Sequence, residues 1–216
     1  MLKKLIKLVV LDLNGTTLDN LISVGIPFMR HIFRTLNLTP PSDHQFRYEA
    51  AGDFMGFCRR YKAPHWFTHE HLIALREMWY LSRFSDLRFR SDTKRVLQRL
   101  KSLGFKLAVC SAEITPVVER LIDRDGLREY FESGLIYSEA WPKSDALWEM
   151  LDISGVPAEQ AVYVDDTAHG IGEARSVGMQ TIGFVNATAY NDTTRIHAAK
   201  PDATVHELSE LEQILV

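Results

Sequence analysis

Short apolar runs alternate with amphipathic stretches along most of the chain. The runs predict buried strands at residues 8–11, 105–110, 161–164, 181–185 and, more weakly, 203–205. Runs that are apolar at every position are typical of a parallel sheet that is covered on both faces. Helical spacing of apolar residues lies between them, at residues 93–103, 144–151 and 167–177. This alternation predicts an α/β core with a doubly wound, Rossmann-like parallel sheet.

The segment from about residue 19 to residue 87 departs from this alternation. It contains no run that is typical of a parallel strand, whereas residues 21–38, 46–61 and 68–84 have the spacing of helices. We therefore predict an all-helical unit inserted directly after the first strand. The core domain would comprise residues 1–18 and 88–216, and the helical unit residues 19–87.

The composition is that of an ordinary globular protein and excludes several classes of chain and of partner. The 216 residues are 46% hydrophobic and 25% charged, which excludes disordered and collagen-like chains. A formal net charge of −3 gives no basic field, so no nucleic-acid partner is expected. No run approaches the roughly 20 apolar residues of a membrane span. The oligomeric state stays open.

The N-terminus and the cysteines bear on localisation. Lys7 interrupts the apolar N-terminal run, Asp12 ends it, and no small-residue cleavage site follows, so we predict no signal peptide. The two cysteines, Cys58 and Cys110, cannot form a disulfide framework and fit a reducing compartment. We therefore expect a cytoplasmic protein with no membrane partner.

Polar residues follow three of the predicted strands. Asp12 follows the first strand, Ser111 follows the second, and Asp165 and Asp166 follow the strand at 161–164. In an open α/β sheet the carboxyl ends of the strands form the edge where ligands bind. Carboxylates brought together there need a cation, and hard oxygen ligands favour Mg²⁺. One such aspartate is ordinarily a helix N-cap, but three such positions indicate a site.

At these residues the chain resembles the haloacid dehalogenase superfamily of phosphatases and related hydrolases. The family's first motif, Asp-x-Asp-Gly-Thr-(Leu/Val)-x-Asp after a strand, is matched by residues 12–19 except at Asn14. Its second motif, a Ser or Thr that ends a strand, is matched by Ser111, and its third, a lysine ahead of a helix, by Lys143. The fourth, an acidic pair with Ala-x-x-x-Gly-Met further on, is matched within residues 165–179. In this family a helical insertion after the first motif is a cap that closes over the substrate.

The resemblance implies a nucleophile and a metal site. Asp12 would attack phosphorus and form an aspartyl-phosphate intermediate. Mg²⁺ would be held by the carboxylates of Asp12 and Asp166 and by the backbone carbonyl of Asn14. Asp165 would orient the metal's water ligands or contribute a ligand itself.

The resemblance also implies a phosphate-binding set. Ser111 and the backbone amide of Ala112 would donate hydrogen bonds to the phosphoryl oxygens. Lys143 would neutralise the charge that Asp12 shares with the phosphoryl group. The implied partner is a small phosphorylated metabolite.

Asn14 is the departure from the family pattern. The phosphatases have aspartate at this position, where it protonates the leaving oxygen and then activates the hydrolytic water. A carboxamide does neither at neutral pH, and general acid–base catalysis contributes typically about 10²–10⁴-fold to the rate. We therefore predict a phosphatase that is impaired or specialised by Asn14, with metal and phosphate binding retained.

Several explanations of Asn14 stay open. The leaving group could need no acid, as in the superfamily's phosphonate-cleaving hydrolases, which have alanine at this position. Those enzymes use a Schiff-base lysine of the cap, whereas the matching position here looks like Arg59, and Lys62 is the single lysine of the insertion. A weak phosphatase or phosphate-binding relic is a second explanation, and an engineered substitution is a third. The dehalogenase branch manages without Mg²⁺, which would leave the acidic pair without a cation.

Polar residues of the insertion are weaker candidates. Arg59, Arg60 and Lys62 could bind an anionic end of the substrate, but a solvated helix face is the simpler interpretation. No acidic residues typical of a zinc site accompany His65, His69 and His71, so we interpret these histidines as the start of a helix that is capped by Thr68. The sequence assigns no role to these histidines or to the three basic residues.

Overall fold

A computed structural model of the chain describes residues 5–191 and 193–216. Within these residues lies a six-stranded parallel sheet with the strand order β3-β2-β1-β4-β5-β6. The strands are β1 Leu8–Leu11, β2 Lys106–Cys110, β3 Ile136–Tyr137, β4 Ala161–Asp165, β5 Gln180–Phe184 and β6 Ala203–Val205. The five strands expected from the apolar runs are confirmed to within one residue at each end. Strand β3 was not predicted, because two half-buried residues at the edge of the sheet leave no apolar run.

Two separate apolar layers cover the faces of the sheet. Val9 and Val162 point into one layer, and Val10 and Tyr163 point into the other. Successive side chains of a strand alternate between the two faces, so a strand covered on both sides must be apolar throughout. This is why the central strands appear as continuous apolar runs.

Helices on both faces provide these layers. Those that follow β1 and the inserted segment are α5 Thr93–Ser102, α6 Thr115–Arg124, α7 Lys143–Ser154, α8 Ala168–Ser176, α9 Thr193–Ala198 and α10 Leu211–Ile214. Helix α6 was not predicted, although Val117, Val118, Leu121 and Ile122 are spaced as on one face of a helix and are fully buried. No helix in the described part of the chain is both long enough and apolar enough to cross a membrane.

The inserted segment after β1 is helical, as expected. A π-helical turn at Leu21–Gly25 continues into the first helix, and the four helices are α1 Ile26–Thr35, α2 Asp43–Glu49, α3 Phe54–Arg60 and α4 His69–Ser82. Their aromatic side chains pack into the same apolar layer as one face of the sheet. The domain boundaries at residues 18/19 and 87/88 stay a prediction.

The expectation of one helix over residues 46–61 is wrong. Helix α2 ends at Glu49, and Gly52 has φ = +92°, a left-handed conformation that favours glycine and through which a helix cannot continue. The side chain of Asp53 then accepts a hydrogen bond from the Gly56 amide at 2.7 Å and begins α3. Two short helices therefore replace the single long one.

Candidate active site

Asp12 and Asp165 lie side by side at the carboxyl edge of the sheet. Strands β1 and β4 are neighbours, with Leu11 opposite Val164, and the Asp12 amide donates to the Val164 carbonyl at 3.0 Å. The chain winds outwards from these two strands in opposite directions, and such a switch point forms a crevice for ligands. The register of two strands therefore brings two aspartates 153 residues apart into one site.

Lys143, in the first turn of α7, joins the two carboxylates. Its Nζ lies 2.8 Å from Asp12 Oδ1, 2.7 Å from Asp165 Oδ2 and 2.8 Å from the Tyr163 hydroxyl. Tyr163 in turn donates to the Cys110 carbonyl at 3.1 Å. The ammonium group is thus fully paired and buried. The sequence did not identify Tyr163, because its place in an apolar strand indicates packing alone.

The second aspartate of the acidic pair contacts the loop after β1. Asp166 Oδ1 accepts from Thr16 Oγ1 at 3.2 Å, and Oδ2 accepts from the Tyr190 amide. A Cβ added at Gly15 (φ = +84°) would lie 2.2 Å from Asp166 Oδ2, so this close approach requires glycine. One oxygen from each of Asp12, Asp165 and Asp166 lies within 4.8 Å of the other two.

Negative charge is in excess in this cluster, since three buried carboxylates lie together and Lys143 pairs with two of them, Asp12 and Asp165. Burial raises the pKa of Asp12 to about 7, with Lys143 opposing the shift and Asp165 adding to it. Burial and the carboxylates of Asp165 and Asp12 raise the pKa of Asp166 well above its usual range. Burial also acts on Asp165, but Lys143 and hydrogen bonds from Thr167 lower its pKa overall. A cluster with surplus charge could hold a metal ion.

The predicted phosphate-binding residues lie beside this cluster. Ser111 is fully buried at the end of β2, and its Oγ accepts from the Glu113 amide at 3.2 Å. Ser111, Ala112, Lys143, Asp12 and Asn14 line one cavity of about 450 Å³ between the sheet edge and the inserted helices. Asp165 and Asp166 do not line this cavity, but one carboxylate oxygen of each lies within 4.8 Å of an oxygen of Asp12, which does.

Asn14 belongs to a chain of hydrogen bonds that the sequence did not reveal. Its Nδ2 donates to Glu113 Oε2 at 2.9 Å, and its Oδ1 accepts from the side-chain amide of Asn20. Glu113 also forms an ion pair with Arg76 of α4 at 3.1 Å and accepts from the Ile114 amide at 2.9 Å. A carboxylate so occupied only accepts hydrogen bonds, which fixes the orientation of the Asn14 carboxamide. Glu113 follows a strand end by three residues, and this was the only sequence signal for it.

The other polar candidates of the inserted helices have structural contacts. Arg59 donates to the carbonyls of Ala63 and Phe67 at 3.2 and 2.6 Å, and Arg60 donates to the Glu49 carbonyl at 3.1 Å. Arg59, Arg60 and Lys62 are not among the residues that line the cavity.

The histidines of α4 also have distinct positions. His71 Nδ1 accepts from the Thr68 amide at 3.2 Å, so the predicted helix start at Thr68 is confirmed. Of His65, His69 and His71, only His69 is among the described residues that line the cavity.

Comparisons with known proteins give the family. The family model described as haloacid dehalogenase-like hydrolase matches residues 9–184. A phosphoglycolate phosphatase from Aquifex aeolicus is 30% identical over 122 residues, which cover 55% of each protein. A phosphonoacetaldehyde hydrolase from Bordetella pertussis is 30% identical over 95 residues, or 42% of this chain and 34% of the other. The chain thus matches about half or less of the length of these relatives.

A solved structure shows the same fold over nearly the whole chain. The haloacid dehalogenase-like family hydrolase from Streptococcus pneumoniae gives a TM-score of 0.82 with 18% identity. The superposition covers 98% of this chain and 99% of the other.

Proposed function

The chain belongs to the haloacid dehalogenase-like hydrolase family, and from this premise we propose that it is a Mg²⁺-dependent phosphatase. The substrate would be a small phosphate ester, hydrolysed through an aspartyl-phosphate on Asp12. One observation carries the proposal: the buried carboxylate of Asp12 lines a cavity beside a fully paired lysine and two further buried aspartates. The phosphatase named among the relatives supports it.

Asp12 and Lys143 would perform the first step. Lys143 holds Asp12 Oδ1 at 2.8 Å, so Oδ2 would be the nucleophile that attacks phosphorus. The Lys143 ammonium group, held also by Asp165, would counter the negative charge of the nucleophile and of the transferring phosphoryl group. The Ser111 hydroxyl and the Ala112 amide would donate to the phosphoryl oxygens. Since Lys143 is fixed by three acceptors, it needs no rearrangement during the reaction.

A magnesium ion fits the carboxylate cluster because the cluster has surplus negative charge and hard oxygen donors. Asp12, Asp166 and the backbone carbonyl of Asn14 would hold it. Both oxygens of Asp165 already accept hydrogen bonds, from Lys143 and Thr167, so Asp165 would position Lys143 instead of binding the metal directly. The bound ion would supply charge neutralisation at the phosphoryl oxygens.

Phosphate release from a panel of phosphate esters tests the proposal. We expect turnover that requires Mg²⁺, is abolished by EDTA and returns when excess Mg²⁺ is added. Inorganic phosphate should inhibit, since the same donors bind it. Turnover that is unchanged in EDTA would overturn the metal assignment, and absence of phosphate release from every ester would overturn the phosphatase.

We also expect Mg²⁺ to stabilise the fold, and to do so more at pH 8 than at pH 5. In the metal-free protein Asp12 and Asp166 keep protons above pH 3.9, where an unfolded aspartate loses them. The folded state therefore binds more protons, and its stability falls as the pH rises from about 4 through the pKa of Asp12 near 7. The lowered pKa of Asp165 changes the stability only below about pH 3.9, where an unfolded aspartate takes up a proton and the folded one does not. At high pH these carboxylates have lost their protons and repel one another, and a bound divalent cation neutralises them and restores the stability.

Thermal melts at pH 5 and pH 8, with and without Mg²⁺, measure this effect. A hundredfold excess over Kd contributes about 2.7 kcal/mol, or roughly 5–10 °C in Tm for a chain of this size. Asp166→Asn should abolish most of the shift at pH 8, whereas Asp145→Asn, an exposed residue of α7, should leave it unchanged. An equal shift at both pH values would contradict the role of the raised pKa values.

A further inference from the structure

We infer that the substrate is an aryl phosphate, whose leaving group departs without a proton and occupies an apolar cavity. The inference rests on the proposed phosphatase chemistry and names its substrate class. Two independent features carry it: the hydrogen bonds of Asn14, and the character of the cavity wall.

Asn14, two residues after the nucleophile Asp12, cannot protonate a leaving group. Glu113 accepts from Arg76 and from the Ile114 amide, so it faces Asn14 as an acceptor and requires the amide nitrogen of Asn14 on its side. The carbonyl oxygen of Asn14 then faces the amide of Asn20. A carboxamide held in this way offers no acidic proton to the cavity.

The other titratable groups of the cavity wall lie in other contacts or are exposed. Asp53 and Glu139 accept hydrogen bonds from the amides of Gly56 and Thr115, and His69 is exposed at the start of α4. Glu113 is fully buried behind Asn14 and does not line the cavity. The protons of Lys143 are held by three acceptors. His169 stacks on Trp141 with ring centroids 4.9 Å apart, and its Nε2 lies 3.4 Å from Glu173. The leaving oxygen would therefore depart as an anion.

The cavity wall favours an uncharged, apolar leaving group. The inserted helices contribute mainly apolar side chains, among them Phe28, Met29, Phe54, Met55 and Leu72. In the described residues that line the cavity, the lysine and the arginine are both ion-paired: Lys143 with Asp12 and Asp165, and Arg76 with Glu113. Of the two histidines in this lining, His169 lies 3.4 Å from Glu173 and His69 is exposed at the start of α4. No unpaired lysine or arginine of the described lining is therefore available for a carboxylate on the substrate, so a small carboxylated ester is a poor fit.

An aryl phosphate satisfies both features. Asp12 Oδ2 forms a bond to phosphorus, the bond from phosphorus to the phenolic oxygen breaks, and the phenolate leaves with the electron pair. Water then attacks the phosphorus of the aspartyl-phosphate and the bond to Asp12 breaks, which restores the carboxylate. Inorganic phosphate leaves with the oxygen and one proton of the water, and the second proton passes to solvent. A phenol has a pKa of roughly 10, as in tyrosine, whereas an aliphatic alcohol is about as weak an acid as water and has a far higher pKa. The phenolate is therefore the far better leaving group without an acid.

The missing acid–base group also affects the second step. Without a base to activate water, hydrolysis of the aspartyl-phosphate becomes slow relative to its formation from a good leaving group. We expect a burst of about one equivalent of 4-nitrophenolate per enzyme from 4-nitrophenyl phosphate, and then a slower steady rate.

Steady-state kinetics with three esters test the inference. 4-Nitrophenyl, phenyl and benzyl phosphate each carry one aromatic ring, but benzyl phosphate releases an alkoxide. With Mg²⁺ we expect kcat/KM to fall steeply along this series, with benzyl phosphate at least about 10²-fold below phenyl phosphate. Phosphoglycolate, small and carboxylated, should be turned over more slowly than phenyl phosphate.

The outcomes separate this inference from the proposed function. Benzyl phosphate turned over within about threefold of phenyl phosphate would show that an acid acts on the leaving group, and a preference for phosphoglycolate would show that the cavity accepts a charge. Either result overturns the aryl phosphate and leaves the phosphatase standing. Release from another ester of the panel but from none of these four overturns the aryl phosphate alone, and no release from these four or from any other ester of the panel overturns both.

Discussion

Asp12→Asn is expected to lower phosphate release by about 10⁴-fold or more, as removal of a covalent nucleophile does in other hydrolases. The carboxamide has nearly the same shape, so Lys143 keeps an acceptor at 2.8 Å and the cavity wall is preserved. What is lost is the oxygen that attacks phosphorus. Burst and steady-state assays with 4-nitrophenyl phosphate measure both the amplitude and the rate, and both should fall to background.

The stability of the same variant gives an internal check. Because Asp12 is one of three buried carboxylates that lie together beside a single paired lysine, its neutralisation should leave the metal-free fold at least as stable at pH 8. The exposed Asp145→Asn, on the helix that carries Lys143, is the matched control and should retain full activity. A folded Asp12→Asn variant with activity within tenfold of the natural chain would show that another group attacks the substrate.

The sequence predicted the part of the site that depends on strand ends. Asp12, Ser111 and Asp165 each follow an apolar run, and a parallel sheet must place such positions on one edge. In the structure β1 and β4 are neighbours, and their register brings Asp12 and Asp165 together. One continuous physical constraint therefore leads from apolar patterning to the carboxylate cluster.

The contacts that cross from the inserted helices to the core were not predictable in this way. Arg76 and Glu113 are 37 residues apart, and neither the spacing of α4 nor the end of β2 indicates that they pair. Tyr163 is hidden for a related reason, since an aromatic residue in a buried strand is normally a packing residue. Amphipathic spacing tells which face of a helix is buried but not which residue it meets.

These contacts change the interpretation of Asn14. Considered alone, it is a missing catalytic acid, and the enzyme is impaired. Considered with its neighbours, it is the residue that a buried ion pair requires, because its amide donates to Glu113 Oε2, the same oxygen that Arg76 contacts, while the Ile114 amide donates to Oε1. Asn14 and Glu113 thus form a matched pair, and the loss of the acid is built into the site.

A double substitution is therefore needed to install an acid. Asn14→Asp alone would place a second carboxylate about 2.9 Å from Glu113, and two carboxylates this close cannot both ionise but share one proton. That proton stays between them and is not available to the leaving oxygen. We expect the single variant to gain less than about tenfold with benzyl phosphate.

Asn14→Asp combined with Glu113→Gln should gain about 10²-fold or more with benzyl phosphate. The new amide at position 113 donates to one oxygen of the new carboxylate at position 14, and the other oxygen, which lies beside the Asn20 amide, can then carry a proton. 4-Nitrophenyl phosphate, whose leaving group needs no proton, should gain little in kcat/KM, so the steep dependence on the leaving group should flatten. Glu113→Gln alone is the control and should gain nothing with benzyl phosphate, while thermal melts confirm that each variant is folded. If the single Asn14→Asp variant gains as much as the double one, Glu113 does not determine the residue at position 14.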